Sequence, residues 1–204
     1  MLPYVIFGAT YAFAAAVQPG PFQAYLVSQT IANGWRRTLP AALAPLLSDI
    51  PIIGLALLVL TQVPPLFARL LQLVGGLFLL YLAAGAFSAW RNYRQAVAVA
   101  PAAAHRTLGK AVLVNLLNPN PYLSWTLVMG PLLLQAWRQS PPAGVALLAA
   151  FYLTMVTASA VIVMLFALTR SLGPRVARAL VGLSAAALAA FGLYQILAGS
   201  RALL

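Results

Sequence analysis

Long apolar runs with short polar interruptions organise this chain. Residues 1–35 carry no charged side chain, and 38–68 carry only Asp49. Residues 70–90, 111–137, 139–169 and 179–200 again carry none. A membrane-crossing helix needs roughly 20 apolar residues. The pattern therefore predicts six transmembrane helices, at about 2–32, 39–60, 66–90, 111–136, 143–169 and 176–199. The first is long enough to be broken. Ala14-Ala15-Ala16 resembles a signal-peptidase site, but a signal peptide wants a basic start. The first basic residue here is Arg36, so the expectation is an uncleaved first helix.

Composition fits this reading. Of 204 residues, 63% are hydrophobic and 6% are charged, against about 25% charged in soluble domains. Too few charges remain to cover a water-facing surface. The basic residues stand singly or in pairs between apolar runs, so they argue for topology rather than for a nucleic-acid partner. With six helices, one side would hold Arg36, Arg37, Arg91, Arg94, Arg106, Lys110, Arg170, Arg175 and Arg178. The other would hold Arg69, Arg138 and Arg201. Nine against three predicts both termini outside by the positive-inside rule. The absence of cysteine excludes disulfides, thiolate metal sites and dithiol redox chemistry. Gly109-Lys110 lacks the rest of a Walker A pattern, so no cofactor or ATP chemistry is expected from it. Any transport would draw on a gradient.

An internal repeat stands out. Gln18-Pro19-Gly20-Pro21-Phe22 and Asn118-Pro119-Asn120-Pro121-Tyr122 both read amide, Pro, x, Pro, aromatic, one hundred residues apart. Each falls in the first helix of a three-helix half. Three is odd, so the second half enters from the opposite side, as an inverted repeat. The expected organisation is a single transmembrane domain, 1–204, with repeat 1 at about 1–90, a cytoplasmic linker at about 91–110 and repeat 2 at about 111–204. Proline removes an N–H and clashes with the preceding turn, so each element should break its helix. Broken backbone at membrane depth persists only in protein or beside a wet cavity. Paired interruptions of this kind point to a transporter's binding site, the alternative being two packing kinks.

Asp49 is the chain's single acid, near the middle of the second helix. A carboxylate at that depth costs roughly 2.5–3.5 kcal/mol on insertion scales. It is a candidate for proton exchange or for pairing with a substrate ammonium, the alternative being a structural carboxyl. Asn115, Asn118, Gln18 and Gln23 offer uncharged donors and acceptors for a polar or zwitterionic solute, or interhelical amide bonds. Thr154, Thr157 and Ser159 are weaker candidates, since hydroxyls bond back to their own helix. Trp35, Trp90 and Trp137 read as interface anchors. His105 reads as a solvated loop residue. Gly182, Ala186 and Ala190 form a small-residue stripe, within the chain or between protomers of a homodimer.

Taken together, Pro19-Gly20-Pro21, the Gln29 to Arg37 helix end, Asp49 and the Asn115-to-Pro119 stretch resemble the lysine exporter (LysE/RhtB) superfamily. The resemblance covers essentially the whole chain. Where glycine is expected before the aspartate, this chain has Ser48, which marks a divergent branch. The resemblance implies an all-α protein of the bacterial plasma membrane. It implies no enzyme and no cofactor, but export of an amino acid or related metabolite coupled to an ion gradient, with Asp49 pointing to protons as the coupling ion. The implied site comprises Asp49, Ser48, Gln18, Pro19, Gly20, Pro21, Gln23, Asn115, Asn118, Pro119, Asn120 and Pro121. A divalent-cation exporter of the same superfamily is the nearest alternative. Such a site wants several carboxylates or histidines. A non-transporting membrane scaffold is the alternative from another class.

Overall fold

The computed structural model describes residues 1–18, 20–58, 65–91, 104–168 and 174–201. Pro19, Arg94 and Arg170 lie outside the described residues, as do most of the 91–110 linker and the side chains of Arg69 and Arg201. The described chain is helical throughout. In order it forms α1 (Leu2–Val17), α2 (Pro21–Asn33), α3 (Trp35–Thr38), a 3₁₀ stretch (Leu39–Leu43) and α4 (Ala44–Leu58), then α5 (Pro65–Arg91). After the linker come α6 (Ala104–Leu116), α7 (Pro119–Ser124), a π-helical turn (Trp125–Met129), α8 (Gly130–Gln139), α9 (Pro141–Leu168) and α10 (Pro174–Arg201).

Among the described residues, Trp35–Leu58, Pro141–Leu168 and Arg178–Ser200 are long and apolar enough to cross a membrane, and Leu2–Val17 and Leu73–Ser88 are shorter apolar helices. The outer face is apolar as well: Leu2, Leu127 and Leu153 are each 70% exposed and Leu58 is 85% exposed. Water would not tolerate so much exposed leucine, and hydrocarbon would.

Both Pro-x-Pro elements interrupt their helices, for the same local reason. The residue before a proline is pushed out of the α region. Gln18 accordingly takes φ −62°, ψ 126°, and Asn118 takes φ −88°, ψ 125°. The restarts differ. The first helix resumes at Pro21 after an extended Gly20, whereas the second resumes at Pro119 directly after Asn118. Asn118 supplies its own cap, its side-chain oxygen accepting from Asn120 N at 3.1 Å, which glycine at position 20 lacks. At each break a side chain from the resumed helix reaches back to the carbonyls left behind. Gln23 Nε2 donates to Ala16 O at 3.0 Å and Ala15 O at 3.3 Å, and Tyr122 Oη donates to Leu116 O at 3.0 Å.

Neighbouring helices set the relative directions. Gly8 packs α1 so tightly on α9 that a Cβ would lie 2.7 Å from Leu147 O, and Tyr11 stacks on Phe151 three residues later. The numbers rise together, so α1 and α9 run parallel. Asn115 meets Ser48, Trp125 meets Asp49 and Gly130 meets Leu57, so α4 runs parallel to the α6–α8 segment. Gly76 faces Gly192 while Trp90 covers Gly182, so α5 and α10 run antiparallel. Among the described residues two large apolar cores form, beside a small cluster of Ile31 and Val181. One lies among α1, α4, the π turn, α8 and α9, and the other among α2, α5, α6 and α10.

Three boundaries differ from expectation. α6 begins at Ala104 rather than near 111, so His105, Arg106 and Lys110 stand on a helix instead of in a loop. Charge-free runs underestimate a helix that begins with charged turns, and Lys110 there sits 5.6 Å from the Tyr81 ring centre. The connection before the second helix shrinks to Gly34, whose φ of 83° suits glycine. The fourth span runs on to Gln139, and α9 begins at Pro141.

Candidate functional site

Asp49 is 4% exposed, and its carboxylate is held entirely by uncharged donors among the described residues. Asn115 Nδ2 donates to Oδ1 at 3.2 Å. Trp125 Nε1 and Tyr152 Oη both donate to Oδ2, each at 3.2 Å. The donors come from α6, the π turn and α9, while the carboxylate stands on α4. Asn115 also donates to Ser48 Oγ at 2.7 Å, and that hydroxyl donates to Ala44 O at 3.0 Å. Ser48 thus helps to hold Asn115, where glycine at that position would leave its amide nitrogen Asp49 alone as an acceptor. Pro51 lies inside α4, seven residues past the helix start at Ala44 and two residues past Asp49.

The π turn aims the indole. Its closing bond runs from Gly130 N to Trp125 O, five residues back. A Cβ at Gly130 would lie 2.3 Å from that same oxygen, so the turn depends on glycine. π-Helical turns recur at functional sites. Trp125 then packs edge-on to Phe151, with centroids 5.6 Å apart, and Tyr152 stacks beside it at 6.4 Å.

A cavity of about 380 Å³ opens against Asp49. Its polar lining gathers Gln18, Gly20 and Gln23 from the first break, and Asn115, Asn118 and Asn120 from the second. Pro21 and Pro121 contribute their rings. Ser48 lies behind this wall, bonded to Asn115, and Pro119 opens α7 without lining the cavity. Pro19 lies outside the described residues. Thr154, Thr157 and Ser159 are on α9 but do not line the cavity.

Several lining residues lie outside the candidates that the sequence pattern offers. Trp125, Tyr11, Ser124, Phe151 and Met155 all face the cavity, with Tyr11 Oη 2.8 Å from Ser124 Oγ. Tyr152 reaches Asp49 from beyond the lining. Trp125 did offer a signal, because a tryptophan in mid-span is not at an interface.

One end of α2 bears on the cavity chemistry. Its first-turn N–H groups have no intrahelical acceptor, and no side chain caps them. Such an end carries partial positive charge.

Comparison with known proteins gives a family. A family model described as LysE type translocator matches residues 13–199. No significant match is found among curated proteins or among solved structures.

Proposed function

The chain belongs to the LysE type translocator family, and from that premise we propose that it is a proton-coupled secondary exporter of an amino acid or similar zwitterion. Translocators of this kind are membrane transporters rather than enzymes. The observation that carries the finer reading is Asp49 at the wall of a cavity bounded by both helix breaks, its oxygens met only by neutral donors. A buried carboxylate without a protein cation has two natural partners, a proton or a substrate ammonium. In this reading the substrate ammonium docks on Asp49 and its carboxylate turns to the bare N-terminus of α2. The amides of Gln18 and Asn120 complete the contacts and release them cheaply, because they carry no charge.

The reading includes six spans arranged as an inverted repeat, one transmembrane domain made of repeat 1 (about 1–90), the linker and repeat 2 (about 111–204). The pairing directions support it. Parallel packing of α1 on α9 has its counterpart in parallel packing of α4 on α6–α8, and α5 against α10 pairs the two third helices. Alternating access then rocks one half against the other about the fixed carboxylate. The reading also takes the membrane to be the bacterial plasma membrane, with both termini outside. It further includes a homodimer through the α10 face, where Ala186 and Ala190 are exposed while Gly182 is covered by Trp90. Ala186→Leu should weaken self-association in mild detergent.

Purified protein in liposomes loaded with radiolabelled amino acids tests the export reading. An imposed pH gradient should accelerate loss of at least one amino acid relative to protein-free vesicles, and a protonophore should abolish the acceleration. Equal loss from both kinds of vesicle for every amino acid would end it.

A further inference from the structure

The cavity's lining narrows the substrate, and this inference rests on the export reading above. Asp49 is the one acid of the whole chain, and no lysine, arginine or histidine lines the cavity among the described residues. Three of the roughly four acceptor positions of a carboxylate are already taken by Asn115, Trp125 and Tyr152. One substrate ammonium can be matched there, but a second cannot. A side-chain carboxylate would find no cation at all.

Part of the cavity lining is apolar. Ala15, Leu127, Val128, Phe151 and Met155 form it, combining methyl groups, a thioether and a ring face. Phe151 and Met155 are 3% and 8% exposed, so this part of the lining belongs to the core. At about 380 Å³ the cavity lies at the low end of small-molecule sites, roughly 300–1,000 Å³, which suits one amino acid.

We infer that the substrate is a neutral amino acid with an apolar side chain, seated on the Phe151 and Met155 wall, and that dibasic and acidic amino acids are excluded. Burying an unpaired charge against this wall is the excluding force. Among neutral substrates the wall discriminates by size, on the order of 10- to 200-fold per added or missing methylene.

The test is ligand-induced thermal stabilisation of the purified full chain, titrated with leucine, methionine, phenylalanine, alanine, lysine and glutamate. Leucine, methionine or phenylalanine should bind at least about 100-fold more tightly than lysine or glutamate. Met155→Gln should lower the ratio of leucine to alanine affinity by about tenfold, a ratio that general loss of stability would not move. Lysine or glutamate binding as well as leucine would overturn the inference and leave amino-acid export standing. Met155→Gln leaving the ratio unchanged would overturn the assignment of the wall. Failure of all six to bind would remove the inference together with the export reading beneath it.

Discussion

Trp125 donates its indole N–H to Asp49 Oδ2 at 3.2 Å, across 76 residues of sequence, from the helix that carries the second break to the helix that carries the acid. The bond exists because the π turn rotates the indole inward and Gly130 permits that turn. A carboxylate fixed by such donors keeps one position without being neutralised. That is a useful state for a group that must accept and release a cation.

Trp125→Phe keeps a ring and removes the donor. A hydrogen bond to a charged group contributes about 1.5–3 kcal/mol, so this variant should lose stability of that order. In an Asp49→Asn background the additional loss should fall below about 1 kcal/mol, since the bond is then between neutral groups. Thermal unfolding of the four proteins in detergent checks the cycle. Equal losses in both backgrounds would mean that Trp125 acts through packing alone.

Glycine positions separate the π turn from ordinary helix. Gly130→Ala places a methyl 2.3 Å from a backbone oxygen, whereas Gly54→Ala meets nothing within 4 Å. Gly54→Ala should be neutral or stabilise by about 0.5–1 kcal/mol through helix propensity. Gly130→Ala should destabilise and quench the Asp49-dependent component of transport. Melting temperatures and efflux rates of the two variants distinguish them.

Topology is open to labelling, because the chain has no cysteine of its own. Leu2→Cys and Ser140→Cys should react with an impermeant maleimide from outside intact cells, and His105→Cys should not. The expectation follows from nine basic residues on one side against three on the other. The reverse labelling pattern would invert the orientation.

The parts of this architecture that local chemistry dictates were legible in the chain. Proline after Gln18 and Asn118 compels extended backbone whatever surrounds it, so both breaks could be read from position alone. Asp49 announced itself by scarcity. Of its ligands, Asn115 is legible as an amide within a span, whereas nothing local ties Trp125 and Tyr152, 76 and 103 residues away, to the acid. Gln23 was read as a solute ligand and does line the cavity, yet its amide nitrogen holds the carbonyls of Ala15 and Ala16. The π turn has no composition signature, since the bond from Gly130 N to Trp125 O is a matter of register. The early start of α6 was hidden by Arg106 and Lys110, because a charged residue ends a charge-free run without ending a helix.

The central claim is that Asp49 couples export to a gradient. Asp49 is the single acid of the chain, and the single histidine, His105, stands in the first turn of α6 and does not line the cavity. One charge moved across 100 mV is worth about 2.3 kcal/mol, enough to drive a modest concentration ratio. Asp49→Asn keeps the shape and should fold, at a cost of about 1–3 kcal/mol for a donor left facing the new amide. The direct measurement is efflux of a neutral amino acid from proteoliposomes under an imposed pH gradient, parent beside Asp49→Asn. Gradient-driven efflux in the parent, with only gradient-independent exchange left in the variant, is the result this account predicts. Asp49→Asn pumping as well as the parent would contradict it and make the carboxyl a structural group.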